Sequence, residues 1–275
     1  GLFLFYMNNI LLRSITGFFF ISIIIGALWF GELTTSIIMT LFAVLGLNEF
    51  YSLFKKNKIV KISNPLSIIT SISIYIIALL VITKQIPSTS IALIIPIIFI
   101  YFITELYRKK DNPILNLSLF VFSLFYVAIP FLLVTHLQLI EIKNSHLAIG
   151  MFLLIWANDT FAYLSGRFFG KTKLFERISP KKTWEGTVGG VVFTIIVAYI
   201  ISLSNNSYPI SFWLISALIN APCSIYGDLL ESLFKRSLNI KDSGNILPGH
   251  GGILDRFDAA IFAIPFFYAL VVFYS

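Results

Sequence analysis

The most polar stretch of this chain, residues 241–258, reads KDSGNILPGHGGILDRFD and directly precedes the last hydrophobic run. Asp255 and Asp258 are three residues apart, so a helix that starts there presents both carboxylates in one direction. Arg256, between them, can bind a phosphate through two parallel hydrogen bonds. Capping and the helix dipole would explain one aspartate. They do not explain two aspartates, an arginine, a histidine and a glycine-rich turn together, so the stretch indicates chemistry on phosphates.

A glycine-rich turn precedes these carboxylates. Pro248 and the glycines around it exclude a regular helix near His250. Because glycine permits the backbone to approach a bound molecule closely, Gly251 and Gly252 are predicted to lie against a ligand.

A second polar cluster, YGDLLESLFKR, occupies residues 226–236. Its polar residues at positions i, i+3, i+4 and i+7 share one face of a helix: Asp228, Glu231, Ser232 and Lys235. Two carboxylates one turn apart can hold a hard cation. Lys235 and Arg236 would repel a bare cation but attract a phosphate, so the cluster suggests a metal–phosphate complex. An exposed helix end of mixed charge is the simpler alternative.

Polar residues also enter the hydrophobic runs between 156 and 190. Asp159, Tyr163 and Arg167 recur every four residues beside Asn158, and this spacing predicts a polar cavity wall, a purely structural contact being the alternative. Further along, two lysines precede a glycine-rich helix start, where a phosphate can bind: Lys181 and Lys182. The spacing differs from a Walker loop, and membrane-surface lysines before a closely packed helix explain it equally well.

On one face of a membrane, the clusters would form a single metal-dependent phosphate site. Asp228, Asp255 and Asp258 would hold one or two Mg²⁺-type ions. The groups that balance phosphate charge would be Lys235, Arg236, Lys241 and Arg256. Such a site suits phosphoryl or nucleotidyl transfer, because metals draw charge from the phosphate under attack and cations stabilise the leaving group.

The elements that carry these residues are predicted to cross a membrane. The chain is 57% hydrophobic and only 12% charged, which is too few charges to cover a soluble domain of this length. A backbone in lipid satisfies its hydrogen bonds as a helix. The predicted fold class is therefore all-α, a polytopic transmembrane helix bundle with about nine spans: 14–31, 34–54, 64–83, 90–107, 114–140, 147–165, 187–203, 210–230 and 259–274.

The basic residues predict the orientation of these spans. Of the 20 Lys and Arg residues, all but Lys84 and Lys143 fall on one side of the predicted topology. That side holds Arg13 and four loops: 55–63, 108–113, 166–186 and 231–258. Because cytoplasmic loops are rich in Lys and Arg, the N-terminus and these loops are predicted to be cytoplasmic. The net charge of +7 is thereby explained by topology, and no nucleic acid partner is predicted.

Polarity divides the chain into two predicted regions. Residues 1–150, with about five spans, contain few ionisable groups within the spans, and three acidic residues lie near span ends: Glu32, Glu49 and Glu105. Residues 151–275, with about four spans, contain the polar clusters and two cytoplasmic loops, 166–186 and 231–258. The chemistry is therefore predicted in this second region.

Residues 232–258 resemble the C-terminal signature of the phosphatidate cytidylyltransferases, also called CDP-diacylglycerol synthases. The pattern is Ser-x-apolar-Lys-Arg, four residues, Lys-Asp, and then Pro-x-His-Gly-Gly-x-x-Asp-Arg-x-Asp, and this sequence matches it without departure. Other segments also resemble the family: Asn158–Lys171, Ser179–Gly186 and Gly227–Ser232. The resemblance covers about residues 156–258.

The resemblance implies a reaction in which CTP and phosphatidic acid give CDP-diacylglycerol and pyrophosphate. The lipid phosphate would attack the α-phosphorus of CTP directly, with Mg²⁺ as the cofactor and a second cation left open. It further implies a multi-pass enzyme of a bacterial inner membrane, with its active site on the cytoplasmic side and membrane lipid around it. The oligomeric state is left open, a homodimer included.

The resemblance, taken with the clusters above, gives three groups of functional residues. The catalytic residues would be Asp228, Lys235, Asp255, Arg256 and Asp258. The metal ligands would be Asp228, Glu231, Asp255 and Asp258. The residues that bind substrate would be Asn158, Asp159, Lys181, Lys182, Ser232, Arg236, Lys241, His250, Gly251 and Gly252. The role of His250 is either to orient its loop or to bind the nucleotide.

Other classes of membrane protein that act on phosphate compounds are alternatives. A CTP-dependent polyprenol or phytol kinase stays open. A CDP-alcohol phosphotransferase would need D-G-x-x-A-R…G…D-x-x-x-D, whereas DRFDAA has a spacing of three and lacks the Ala-Arg pair. An ion-coupled phosphate or nucleotide transporter would suit intramembrane aspartates, but the charges lie towards one face and no inverted repeat is visible.

Overall fold

The structure, a computed structural model, describes residues 2–54, 64–140, 146–205, 207–244, 246–247 and 251–274. The backbone in these ranges forms nine helices and one two-stranded sheet. The helices are α1 (Leu2–Trp29), α2 (Glu32–Leu53), α3 (Asn64–Ile82), α4 (Ser88–Arg108), α5 (Pro113–Ile140), α6 (Leu147–Phe169), α7 (Trp184–Ser204), α8 (Ile210–Ser237) and α9 (Leu254–Tyr274). Helix α4 opens with a 3₁₀ segment, Ser88–Leu93, and α5 contains a π-helical turn, Leu124–Ala128.

The helices confirm the predicted fold class. Among the described residues, eight helices, α2 to α9, are long and apolar enough to cross a membrane, and the described apolar part of α1, Ser14–Trp29, is shorter. Each of the nine predicted spans coincides with one of the nine helices. The protein is a multi-pass membrane protein, and the cytoplasmic orientation of its N-terminus stays a prediction.

Two of the helices extend further into the polar clusters than the hydropathy indicated. Helix α8 continues to Ser237, and α9 begins at Leu254. The stretch between the two helices, residues 238–253, is therefore shorter than the predicted loop 231–258. The reason is that hydropathy marks the end of lipid contact, whereas helical hydrogen bonding continues into the polar region. Both clusters consequently lie partly on helices, which fixes the directions of their side chains.

A short β-hairpin joins α6 to α7, where the sequence predicted a loop. Strand β1 (Lys173–Phe175) pairs antiparallel with β2 (Ser179–Thr183). Two side chains secure the hairpin to α7: Thr183 caps the helix by accepting from Gly186 N at 3.2 Å, and Glu185 accepts from the backbone N–H groups of Lys171 and Thr172. These contacts hold the end of β2, and with it Lys182, at the start of α7.

The described residues pack into two compact units. The first comprises Gly1–Leu139 together with Asp242–Asp255, and the second comprises Ile140–Lys241 together with Arg256–Ser275. The segment before α9 thus packs with the first unit although it is distant from it in sequence. The division at residue 150 that polarity suggested stays a prediction about function.

Hydroxyl groups join the helices inside the first unit. The Tyr51 hydroxyl on α2 lies 2.9 Å from Ser71 Oγ on α3 and 2.5 Å from Ser123 Oγ on α5, and Ser67 Oγ on α3 lies 2.7 Å from the Tyr101 hydroxyl on α4. Side-chain hydroxyls enclosed among membrane-crossing helices find partners on neighbouring helices in this way. These contacts join α2 to α3 and α5, and they join α3 to α4.

Small residues allow α6 and α7 to pack closely in the second unit. A Cβ atom added at Gly186 would lie 2.7 Å from Ala162 O, and one added at Gly190 would lie 2.8 Å from Asn158 Oδ1. Two glycines four residues apart let helix backbones approach each other. Helix packing therefore explains these two glycines of the segment that the sequence also allowed as a phosphate site.

Candidate active site

Three aspartates on three helices of the second unit lie within electrostatic range of one another: Asp159 on α6, Asp228 on α8 and Asp258 on α9. Lys182 from the hairpin reaches this group. Its Nζ lies 2.6 Å from Asp228 Oδ2 and donates to Ile225 O at 3.5 Å, and its charge also acts on Asp159 and Asp258. We call these aspartates, with Glu231, the acidic cluster.

The polar face of α8 that the sequence predicted supports this cluster. Ser232 Oγ donates to Asp228 Oδ1 at 3.2 Å, one turn along the helix. Lys235 Nζ donates to Glu231 Oε2 at 2.8 Å and interacts electrostatically with Asp258. Glu231, a predicted metal ligand, is buried and bound by Lys235. Asp228 is thus held by a neighbour on its own helix and by a lysine from the hairpin.

Among the described interactions, acidic groups outnumber basic groups in the acidic cluster. Four carboxylates, those of Asp159, Asp228, Glu231 and Asp258, interact there with two ammonium groups, those of Lys182 and Lys235, an excess of two formal negative charges. Oxygen donors with excess negative charge suit a hard divalent cation. No three His, Cys, Asp or Glu side chains in the described ranges form a ready-made metal cage. The carboxylate oxygens are of the kind that a hard cation binds, and Mg²⁺ at this site stays a prediction.

Asp255 has a different environment from Asp258, although both were predicted metal ligands. Asp255 is buried in the first unit, and its Oδ2 accepts from Ser243 N at 2.8 Å, from Gly252 N at 2.8 Å and from Ser243 Oγ at 3.0 Å. Gly251 has a φ of 84°, a left-handed conformation that favours glycine. The described contacts of Asp255 thus organise the segment that leads into α9.

The remaining predicted cations are exposed. This group consists of Lys181, Arg236, Lys241 and Arg256. Their chains are long enough to reach a phosphate in solvent, and Arg236 Nη1 donates to Ile240 O at 3.4 Å in the described structure. His250 lies outside the described residues.

The predicted substrate residues on α6 differ in accessibility. Asn158 is buried where α6 packs on Gly190, whereas Asp159, the next residue, is exposed. Tyr163 and Arg167 are exposed further along the helix. The polar wall predicted for α6 is therefore accessible from Asp159 onward, and Asn158 lies behind it.

One buried acidic residue of the first unit was not predicted to be functional. Glu49 on α2 is 4% exposed and accepts hydrogen bonds from Ile253 N at 2.9 Å and Leu254 N at 3.0 Å. Its position near the end of an apolar run was noted, and an acidic group in such a run is expensive enough to indicate a role. No local pattern, however, connects it to α9.

Comparison with known proteins identifies the family of the chain. The model of the cytidylyltransferase family matches residues 11–274. The phosphatidate cytidylyltransferase of Staphylococcus haemolyticus is 34% identical over 264 residues, which cover 94% of this chain and 98% of that protein. The phosphatidate cytidylyltransferase of Haemophilus influenzae is 42% identical over 169 residues, 58% of this chain and 57% of that protein. The protein of that name from Bacillus subtilis is 46% identical over 124 residues, 45% of this chain and 46% of that protein.

The alignments with the last two relatives thus span about half of their length, and the alignment with the first spans nearly all of it. The family model covers almost the whole chain, from within α1 to the end of α9, and therefore includes both polar clusters. The chain belongs to the cytidylyltransferase family, and it is a membrane-embedded nucleotidyltransferase.

Proposed function

We propose that the protein is a phosphatidate cytidylyltransferase, which transfers CMP from CTP to phosphatidic acid and releases pyrophosphate. The observation that carries the proposal is the acidic cluster with its two lysines, at the polar ends of membrane-crossing helices. A site of this kind suits a reaction that joins a water-soluble nucleotide to a lipid. The relative from S. haemolyticus, matched over nearly its whole length, bears the same name.

The reaction requires little proton transfer by side chains of the protein. The phosphate of phosphatidic acid is already anionic, so one of its oxygens can attack the α-phosphorus of CTP while the bond to the β-phosphate oxygen breaks. Charge then develops on the departing pyrophosphate, and fixed cations stabilise it. Lys182 and Lys235 lie in the acidic cluster, and the exposed basic groups would bind the phosphates around it: Lys181, Arg236, Lys241 and Arg256.

The acidic cluster is the proposed site of Mg²⁺. Asp228 and Asp258 would hold the ion, with Asp159 close by. The excess of two formal negative charges in the acidic cluster as a whole favours a cation there. The ion would neutralise phosphate charge and orient the triphosphate. Mg²⁺ commonly takes one or two carboxylates and completes its shell with substrate phosphates and water. Asp255 and Glu231 stay predicted ligands, and both already accept hydrogen bonds within the chain. A second cation also stays a prediction.

The other predicted substrate contacts complete the proposal. Ser232, which donates to Asp228, would orient that carboxylate towards the substrate. Gly251, Gly252 and His250 would border the nucleotide, and Asn158 would support Asp159 from behind. The enzyme would lie in a bacterial inner membrane with this site on the cytoplasmic side, where CTP is found. A homodimer stays a prediction.

Turnover with differently labelled CTP tests the proposal. Purified protein in mixed micelles would receive phosphatidic acid, Mg²⁺ and CTP labelled at either the α- or the γ-phosphate. We expect the α-label in the lipid phase, with pyrophosphate formed in equal amount. A CTP-dependent lipid kinase would instead transfer the γ-label to a prenol or other lipid alcohol. If folded protein transfers neither label but moves phosphate or nucleotide into proteoliposomes, the protein is a transporter and the proposal is wrong.

A further inference from the structure

The residue before helix α9 has no side-chain acceptor with which to cap it. The first backbone N–H groups of a helix have no acceptor within it, and an apolar residue, Ile253, precedes the first helical residue, Leu254. The acceptors come from α2: Glu49 Oε1 accepts from Ile253 N at 2.9 Å, and Glu49 Oε2 accepts from Leu254 N at 3.0 Å. A carboxylate at a helix N-terminus is also favoured by the helix dipole. Glu49 therefore caps α9 from a distant part of the chain.

A second carboxylate holds the adjoining segment in the same manner. Asp255 Oδ2 accepts from the backbone N–H groups of Ser243 and Gly252, both at 2.8 Å. Ser243 Oγ lies 3.0 Å from Asp255 Oδ2 and 3.4 Å from Glu49 Oε2, so its hydroxyl stands between the two acids. Four described backbone N–H groups, those of Ser243, Gly252, Ile253 and Leu254, are thus bound by two carboxylates. We call the described residues 243–244 and 251–254, which end on the first helical residue, the pre-α9 segment.

The glycines of the pre-α9 segment fit around Glu49. A Cβ atom at Gly252 would lie 2.5 Å from Glu49 Oε2, and one at Gly244 would lie 2.7 Å from Glu49 Oε1. Real Cβ atoms do not approach other atoms so closely, so any larger residue at either position would displace the carboxylate. From the sequence, Gly252 is predicted to permit a close approach to a ligand. Within the first unit, the groups that approach it are the Ser243 hydroxyl and the Glu49 carboxylate.

We infer that Glu49 is a positioning residue for the proposed reaction. It fixes the pre-α9 segment and the start of α9. Arg256 lies in the first turn of this helix, and Asp258 begins the next turn. The inference rests on the proposed function for its kinetic part only. Hydrogen bonds to a charged acceptor are strong, and a buried acid among membrane-crossing helices needs partners that offset its desolvation. The groups that donate to Glu49 are Ser243 Oγ, Ile253 N and Leu254 N, and all three belong to the pre-α9 segment.

Glu105 offers a matched control in the same unit. It is 5% exposed, close to the 4% of Glu49, and it also accepts two hydrogen bonds, from Arg108 Nη1 at 2.6 Å and from Asn116 Nδ2 at 2.7 Å. These donors lie on α4 and α5, outside the pre-α9 segment. Loss of a buried acid as such should therefore have the same effect at both positions, whereas loss of positioning should appear at Glu49 alone.

The test compares Glu49→Gln, Glu49→Asp and Glu105→Gln with the wild-type enzyme in one detergent. Glutamine keeps one acceptor oxygen but places an NH₂ group opposite a backbone N–H. We expect kcat per folded enzyme to fall about tenfold or more in Glu49→Gln, with the KM for CTP changed less, because a hydrogen bond to a charged group is lost. Glu49→Asp keeps both acceptor oxygens and should recover part of kcat. Glu105→Gln should melt at a lower temperature and keep the kcat of the wild type.

Amide hydrogen exchange gives a second readout that needs no turnover. Peptides that cover the pre-α9 segment should exchange about tenfold faster or more in Glu49→Gln, from the same lost hydrogen bond, and at the wild-type rate in Glu105→Gln. Unchanged exchange in Glu49→Gln would overturn the inference by itself. So would a loss of activity that only follows the folded fraction, or an equal loss of kcat in Glu105→Gln. If the wild type forms no CDP-diacylglycerol, the proposed function fails, and the exchange result still decides whether Glu49 holds the segment.

Discussion

Asp228→Asn tests the acidic cluster most directly, and its effects on stability and on activity should differ. Asp228 Oδ2 lies 2.6 Å from Lys182 Nζ, and the two side chains are 36% and 25% exposed. An ion pair this accessible is worth about 1 kcal/mol or less, so the melting temperature should change little. At an effective dielectric constant near 20, one negative charge about 4 Å from one unit of positive charge is worth about 4 kcal/mol, so removing it beside a bound divalent cation costs at least that much during the reaction. Because about 1.4 kcal/mol is tenfold in rate, kcat/KM should fall at least about a thousandfold.

The assay for Asp228→Asn is transfer of α-labelled CTP to phosphatidic acid in mixed micelles, normalised to folded protein. Glu176→Gln is the matched control, because Glu176 is an exposed acid in the turn of the hairpin, outside the acidic cluster. The control should keep full activity. The reasoning is refuted if folded Asp228→Asn keeps more than about a tenth of the wild-type kcat/KM, a loss of under about 1.4 kcal/mol. It is equally refuted if activity is lost only together with the folded state.

Metal removal, the two motif aspartates and helix packing give further expectations. EDTA should abolish turnover and Mg²⁺ should restore it, since carboxylates outnumber ammonium groups among the described interactions of the acidic cluster. Turnover that persists in EDTA would contradict this. Asp258→Asn should lose activity while the amides of the pre-α9 segment stay protected from hydrogen exchange. Asp255→Asn should lose that protection, because Asp255 Oδ2 accepts from Ser243 N and Gly252 N. The opposite pattern of hydrogen exchange would reverse these roles. Gly190→Val should lower the melting temperature in detergent by about 5 °C, because its Cβ would meet Asn158 Oδ1 at 2.8 Å; an unchanged melting curve would refute the packing argument.

The features that the sequence predicted well are those that local physics determines. An apolar run in lipid forms a helix because the helix satisfies its own backbone hydrogen bonds. The nine predicted spans accordingly coincide with helices. The polar face of α8 follows from helical geometry alone: Asp228 contacts Ser232, and Glu231 contacts Lys235, each four residues apart. That Asp228 and Asp258 lie close together could be predicted once both were expected at the same side of the membrane.

Contacts between distant segments were not predictable in this way. The hairpin strand Ser179–Thr183 has no alternation of polar and apolar residues, so its pairing depends on the turn and on its attachment to α7. Glu49 and Leu254 are 205 residues apart in the chain, and no periodicity relates them. A buried acid in an apolar run shows that a partner is needed but does not identify it.

The DRFD motif shows how one spacing can serve two purposes. Residues at i and i+3 on a helix differ in direction by about 60° and in height by about 4.5 Å, which is enough for their carboxylates to reach different neighbours. Asp255, in the first turn of α9, binds backbone N–H groups of the pre-α9 segment, whereas Asp258, one turn further, interacts with Asp228 and Asp159. The sequence rule that both face one way therefore suggested a shared ligand role too readily. One residue more between them would turn Asp258 by about 100° around the helix, away from the acidic cluster, so the spacing of three serves the segment and the site together.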